Sequence, residues 1–214
     1  GVKTIRITDE MFLLNKKFYR PIVDTLIRLN KNDDLKLWAY SRIDTVPSPE
    51  ELAKVRRAGI RWLALGIESG DKAIRLEVAK GKFEAVDVEK IVEQVEAAGI
   101  HVMANYIYGL PGDTPETIQE TFDLSTKLNT VGWNTYAAMA LPGSPLYMQA
   151  KQDGQHLPTN YEEFSFHSYE TIPLSTEKMD ASEILKMRDE KFTEYFGRPE
   201  FIERITQTFG SGAA

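Results

Sequence analysis

Carboxylates, amides and one guanidinium follow apolar segments of this sequence that have the composition of β-strands. Glu68 and Ser69 come directly after the apolar run IRWLALGI (60–67), where a carboxylate is costly unless it has a partner. Carboxylates pair with cations or accept hydrogen bonds from hydroxyls, and an arginine binds a carboxylate in bidentate fashion. Such groups suit a ligand with an ammonium, a carboxylate and a ribose diol. The residues at or near these strand ends are Thr8, Asp9, Glu10, Asn15, Ser41, Arg42, Asp44, Glu68, Ser69, Asn105, Tyr108, Gly109, Asn134, Tyr136 and Met139.

Several of these residues also have a purely structural explanation. Asp9 is equally suited to capping a following helix, and Arg42 to pairing with Asp44 or with a helix end. Asn105 is a polar residue inside a predicted strand, where a ligand-facing role and a structural one are equally plausible. Glu68 is the hardest to explain by structure alone, because it follows a strongly apolar strand.

The elements that would position these groups alternate between strand and helix. Strand patterns cover 2–7, 35–40, 60–67, 100–108 and 131–140, and helix patterns cover 17–31, 48–59, 71–80, 86–99 and 114–128. This alternation predicts parallel strands joined by right-handed crossovers, with ligands at the carboxyl ends of the strands. No G-x-G-x-x-G follows a strand, which argues against a dinucleotide-binding sheet. Five strands are too few for a closed eight-stranded barrel, so we predict an α/β fold with an open, partial (β/α) barrel.

Two regions are predicted, a barrel over 1–147 and a C-terminal extension over 148–214. The extension holds a long aromatic segment at 157–176 and helices, one of them over 180–196. We expect the aromatic segment to pack against the barrel. Trp38, Trp62 and Trp133 are predicted to lie in the core. The pair Ser48 and Glu51 has the spacing of a capping box.

Composition excludes several classes of function. The chain has 214 residues, a net charge of −6 and no dominant basic cluster, which argues against a nucleic-acid surface. No apolar run approaches the roughly 20 residues that cross a bilayer, and without a targeting signal we expect a cytoplasmic protein. The absence of cysteine removes disulfides, thiolate nucleophiles and cysteine metal ligands. His101, His156 and His167 lack metal-ligand spacing, so no metal site is predicted; catalytic residues stay unassigned.

Five stretches, taken together and in their order, resemble the radical S-adenosylmethionine superfamily, in the branch whose members often carry a cobalamin-binding domain. They span about residues 5–147 and read ITDEMFLLNK, WAYSRIDTV, AGIRWLALGIESGD, AGIHVMANYIYGLPGDTPET and MALPGSPLY. The resemblance implies the superfamily's partial TIM-like barrel, with strands 2–6 of the family present here.

The same resemblance implies S-adenosylmethionine as a cofactor and places its parts on these residues. Thr8, Asp9 and Glu10 match the motif that contacts the methionine amino group. Glu68 and Ser69 match a position that meets the ribose or the methionine part. The remaining matches are Tyr108, Gly109, Met139 and Leu141 near the adenine, and Arg42 in a polar position of less certain role.

One departure from the family matters most. The family's cysteine triplet, C-x3-C-x2-C, is absent, and Fe–S clusters are usually held by cysteine thiolates. We therefore expect the chain to be a C-terminal fragment of a radical enzyme that cleaves S-adenosylmethionine reductively at a 4Fe-4S cluster. The chain alone is expected to be inactive, and cobalamin is a candidate cofactor of the parent only. A natural homologue that lost its cluster site is the alternative to a fragment.

Two other functions stay open at this point. One is a non-catalytic barrel module that binds a small molecule or a protein. The other is a cofactor-independent lyase or isomerase that uses Glu68 and Asp9 as acid and base. The substrate is not evident from the sequence. Neither a nucleic-acid partner nor a membrane is expected, whereas an exposed sheet edge would favour self-association.

Overall fold

The computed structural model describes residues 2–78 and 86–213. Five strands form one sheet in the order β1-β2-β3-β4-β5, and β1 pairs with β2 and β2 with β3 in parallel. Each strand therefore lies beside its predecessor in the chain, which is the arrangement of successive β/α units. This confirms the predicted partial (β/α) barrel. The strands are β1 Thr4–Arg6, β2 Lys36–Arg42, β3 Ile60–Glu68, β4 His101–Tyr108 and β5 Gly132–Ala137.

Every predicted helix is present within the described residues. Residues 79 and 80, at the end of the predicted 71–80 helix, lie outside them. None of the described helices is long and apolar enough to cross a bilayer. The helices are α1 Lys16–Leu29, α2 Pro49–Arg57, α3 Lys72–Val78, α4 Val88–Ala97, α5 Pro115–Leu128, α6 Pro145–Gln152, α7 Ala181–Gly197 and α8 Pro199–Phe209.

The chain divides into two compact units. The first comprises Gly1–Ile67, Lys82–Asn105 and Leu128–Trp133, and the second comprises Glu68–Gly81, Tyr106–Lys127 and Asn134–Ala214. The predicted boundary between residues 147 and 148 stays a prediction.

In the first unit, β2 has one buried face and one face that reaches solvent. Leu37 and Ala39 are 2% and 0% exposed, whereas the side chains that alternate with them at positions 38, 40 and 42 are only half-buried. We call this second side the open face; on β2 it carries Trp38, Tyr40 and Arg42. The prediction that Trp38 and Trp62 lie in the core is wrong, because both are half-buried. Trp133 is 3% exposed, as predicted.

A polar contact joins α1 to α2 in the first unit. The Tyr19 hydroxyl donates to Glu51 Oε2 at 2.6 Å, and Arg20 Nη2 donates to the same oxygen at 3.0 Å. Ser48 makes no side-chain cap bond, so the predicted capping box is wrong: Glu51 is held by α1 instead. Burial, and then the bond to Glu51, raise the pKa of Tyr19 to about 12, and the same bond lowers the pKa of Glu51.

In the second unit, the turn after β3 is fastened to α5. Ser69 Oγ lies 3.2 Å from Thr121 Oγ1, and the Gly70 N–H donates to Thr121 Oγ1 at 2.8 Å. A Cβ on Gly70 would stand 2.6 Å from Thr121 Cα and 2.7 Å from the Glu120 carbonyl oxygen. Only a glycine allows this close approach of turn and helix.

The aromatic segment packs against β5 in the second unit, as predicted. The Leu174 N–H donates to the Ala138 carbonyl at 3.0 Å, and the rings of Tyr136 and Phe166 lie 5.0 Å apart. Arg188 on α7 donates to the Phe166 carbonyl at 3.1 Å, which ties the segment to the C-terminal helices.

Replacing Tyr19 with Phe should lower the free energy of unfolding by about 1.5 kcal/mol near neutral pH, because Glu51 loses a hydrogen bond to its carboxylate. The folded pKa of Tyr19 exceeds its ordinary value of 10.0. Its contribution is therefore complete below pH 10 and is lost as the pH rises towards about 12. Urea unfolding at pH 7 to 11 should show an alkaline decline that is smaller in Tyr19→Phe than in wild type, because the buried Tyr108, whose pKa is also raised, still contributes to the decline in both. Tyr161→Phe, at a 97% exposed position, is the control. Equal stability of both variants would contradict the prediction.

Gly70→Ala should destabilise the protein by about 1–3 kcal/mol, because the added methyl meets backbone atoms of α5 that cannot move aside cheaply. Thermal unfolding measures the loss. Gly197→Ala is the matched control, since nothing lies within 4 Å of the added Cβ there. A Gly70→Ala protein as stable as wild type would show that the turn and α5 are not in close contact.

Candidate functional site

The carboxyl end of β3 has a strained backbone. Glu68 has φ of +70°, a left-handed conformation that costs a non-glycine residue about 1–2 kcal/mol. The residue is half-buried and is the last of β3. Strain of this kind persists only where the surroundings enforce it, and it is concentrated at functional sites. The conformation bends the chain directly after an apolar strand and fixes the direction in which the Glu68 side chain leaves the backbone.

Ser69 and Arg75 hold this bend. Ser69 is 0% exposed, and its Oγ also accepts from the Asp71 N–H at 3.1 Å. Arg75 Nη1 donates to the carbonyls of Ser69 at 2.6 Å and Gly70 at 3.0 Å. Burial lowers the pKa of Arg75. The Ser69 side chain is thus used within the turn, and Arg75 is a positioning residue that sequence reasoning missed, because its position in a short helix is typical of a surface arginine.

Two predicted residues lie on either side of β3 in the first unit. Arg42 pairs in register with Gly66, and Asn105 Nδ2 on β4 donates to the Leu65 carbonyl at 3.4 Å. Arg42 binds Asp44 through two bonds, Nε to Oδ1 at 2.6 Å and Nη2 to Oδ2 at 2.8 Å. Arg42 therefore pairs with Asp44, which was one of the structural alternatives. The Asp44 carboxylate occupies the edge of the guanidinium that would otherwise bind a ligand carboxylate.

Thr8, Asp9 and Glu10 are exposed after β1 in the first unit. Asp9 Oδ1 accepts from the Met11 N–H at 2.8 Å and so stabilises a turn. Asp9 does not cap α1, because Asn15 Oδ1 fills that role by accepting from the Lys17 N–H at 3.0 Å.

Tyr108 and Gly109 open the turn after β4 in the second unit. The Tyr108 side chain is 1% exposed, in a core with Ile184, and burial raises the pKa of its phenol. Gly109 has φ of +79°, and a Cβ there would lie 2.7 Å from Ile184 Cδ1. Asp113 Oδ2 accepts from the Leu110 N–H at 2.9 Å and closes the turn. A ligand at this turn would therefore meet main chain and not the phenol.

The residues after β5 form a second tight turn in the second unit. Ala138 donates its N–H to the Tyr108 carbonyl at 2.8 Å, and the Leu141 N–H donates to the Met139 carbonyl at 3.1 Å. Met139 is 8% exposed and Leu141 is 45% exposed. Both β4 and β5 thus end in turns whose main chain is fixed by hydrogen bonds.

The chain does not fit an iron–sulfur cluster. Such clusters need cysteine thiolates, and the sequence has none. Within residues 2–78 and 86–213, no group of three His, Asp or Glu residues is arranged to hold a metal ion.

Several known proteins with similar sequences are methyltransferases or cyclases by name. An uncharacterized methyltransferase from Pyrococcus horikoshii is 25% identical over 209 residues, which is 94% of this chain and 42% of that protein. The anaerobic magnesium-protoporphyrin IX monomethyl ester cyclase of Cereibacter sphaeroides is 25% identical over 80% of this chain and 27% of its own length. The chain thus spans less than half the length of these relatives.

A solved structure supports the fold. The radical S-adenosylmethionine methyltransferase of Kitasatospora setae, with cobalamin and a 4Fe-4S cluster bound, superposes with a TM-score of 0.62 at 23% identity, over 72% of this chain and 29% of that one. The sequence profile of the Radical SAM superfamily matches residues 1–125, which is more than half of the chain. By this match, the chain belongs to the radical S-adenosylmethionine superfamily.

Proposed function

We propose that this chain forms the S-adenosylmethionine-binding part of a radical enzyme, and that Glu68 holds the cofactor. The observation that carries the proposal is the left-handed backbone of Glu68 at the carboxyl end of a parallel strand. Ligands of parallel α/β folds bind at these strand ends. A carboxylate there accepts hydrogen bonds from a ribose diol or pairs with the methionine ammonium.

The turn after β3 supports this role by reducing the cost of binding. Ser69, Gly70 and Arg75 fix the main chain around Glu68 through the bonds to Thr121 and to the two carbonyls. A main chain that is already fixed loses little conformational freedom when the ligand arrives, and this gain in affinity needs no additional contact. The strain at Glu68 is then the stability cost of an orientation that the ligand uses.

After β4 and β5, the proposed contacts to the cofactor are main-chain groups. The turns at Gly109 and at Met139–Leu141 offer rigid backbone for the adenine, since the Tyr108 side chain is buried. The exposed Thr8, Asp9 and Glu10 are proposed to meet the methionine amino group, for which carboxylates are suitable partners.

The reaction of the whole protein is proposed as methyl transfer or cyclisation. The relatives' names support this class, and the cobalamin in the Kitasatospora setae structure makes cobalamin a candidate second cofactor. Because this chain lacks cysteine, the proposal requires cluster ligands from outside these 214 residues, and no step at the cluster is assigned to the residues here. S-Adenosylmethionine, when bound, supplies the group that is cleaved or transferred.

Glu68→Gln should weaken the binding of S-adenosylmethionine to this chain by roughly tenfold to a hundredfold, because a hydrogen bond to a charged group contributes about 1.5–3 kcal/mol. Glu68→Gly should weaken binding similarly. It should also raise the free energy of unfolding by up to about 1 kcal/mol, because glycine adopts the left-handed conformation without strain. Isothermal titration calorimetry measures the first effect and urea unfolding the second.

The exposed Glu162 provides the control, because Glu162→Gln removes the same charge elsewhere in the second unit. Equal affinity of wild type and Glu68→Gln would overturn the role of Glu68. Failure of the wild type to bind at millimolar concentration would overturn the wider proposal that this chain binds the cofactor by itself.

A further inference from the structure

We propose that the open face of the sheet in the first unit binds a planar conjugated small molecule that carries a carboxylate. The site is a row of four rings on β2, β3 and β4, which we call the aromatic ladder. It consists of Tyr40, Trp38, Trp62 and His101.

The rings of the ladder are in continuous contact across the three strands. Trp38 and Trp62 are partners in the register of β2 and β3, and their rings stack at 5.3 Å with 11° between the planes. Tyr40 lies 6.2 Å from Trp38 at 50°, and His101 lies 5.1 Å from Trp62 at 50°. Such separations and tilts are those of attractive aromatic pairs.

The ladder remains partly in contact with water although the neighbouring positions are fully covered. Leu63, next to Trp62 on the other face of β3, is 0% exposed, and Ala39, between Trp38 and Tyr40, is also 0% exposed. Both tryptophans are half-buried. Side chains stand roughly perpendicular to a sheet, so stacked neighbours present their ring edges outward. A planar conjugated ligand that lies across these edges receives edge-to-face contacts, a preferred geometry of aromatic groups.

One end of the ladder carries a cation. The Arg6 guanidinium lies 5.0 Å from the centre of the Tyr40 ring, and Arg6 is exposed. A cation over an aromatic face is oriented by the ring and can still donate hydrogen bonds to a carboxylate. Charge complementarity therefore favours an anionic ligand whose carboxylate reaches Arg6 while its ring system covers Trp38 and Trp62.

The stacked tryptophans of the ladder lie away from the strand ends, whereas Arg6 is the last residue of β1. Trp38 precedes Arg42 by four residues on β2, and Trp62 precedes Gly66 by four on β3, which corresponds to about 13 Å along the strands. The inference therefore does not depend on the proposed role of Glu68, and each can fail without the other.

The test uses 1-pyrenecarboxylate as the probe and follows its fluorescence anisotropy as the protein is added. Saturable binding is expected. Trp62→Leu should weaken it by about tenfold, the factor that corresponds to 1.4 kcal/mol. Arg6→Gln should weaken the binding of the carboxylate probe by at least about threefold and leave the binding of the neutral 1-pyrenemethanol unaffected. Arg6→Gln is a surface change that keeps the test decisive if Trp62→Leu does not fold.

Two controls separate this site from general hydrophobic adsorption. Tyr169→Leu removes an aromatic ring that is fully exposed elsewhere, and it should bind the probe as wild type does. Cholate has the carboxylate without a planar conjugated ring, and it should not compete. No saturable binding by wild type, equal binding by wild type and Arg6→Gln, or effective competition by cholate would each overturn the proposal.

Discussion

Glu68 takes a left-handed backbone conformation where an apolar strand ends, and the next two residues are fixed against α5. The Ser69 hydroxyl and the Gly70 N–H both bind Thr121, and Arg75 binds the two carbonyls that follow Glu68. The absence of a Cβ at Gly70 is what allows the turn to come this close to α5. The chain therefore leaves β3 in a fixed direction, which also fixes where the Glu68 side chain leaves the backbone.

The other strand ends depend on the same kind of constraint, which is a fixed main chain. Asp113 closes the turn after β4, and the Ala138 N–H links the end of β5 to the Tyr108 carbonyl. The Tyr108 side chain, which the family resemblance placed near the adenine, lies in the core instead. A site of this type recognises a ligand by the direction of backbone groups and by a few charged side chains. Loop residues can then vary while the fold keeps the geometry.

The order and type of the elements could be predicted from the sequence because each strand and helix has its own hydrophobic period. Features that depend on tertiary contacts could not be predicted from the sequence. Glu51 has the spacing of a capping residue, yet Tyr19 and Arg20 on another helix bind it. Trp62 is a large apolar residue in an apolar segment, as is typical of a core residue. Only the register of β2 and β3 shows that it lies on the open face.

For the candidate site, sequence reasoning identified Glu68 as unusual from its position after an apolar strand. The left-handed φ and the support from Arg75 were not predictable, because both depend on how the turn meets α5 and α3. For Arg42 the sequence left three possibilities, a ligand carboxylate, Asp44 or a helix end, and the sequence alone does not decide among them. The aromatic ladder was missed because its members are distant in sequence and meet only through strand pairing.

The most direct test of the account is a map of backbone amide chemical shifts in the nitrogen-15-labelled chain as S-adenosylmethionine is added. The account predicts the largest saturable changes at Glu68, Ser69 and Gly70, because the bend after β3 is the proposed binding element. Saturable changes that leave these three amides unmoved would contradict it. The absence of any change at millimolar cofactor would contradict it as well.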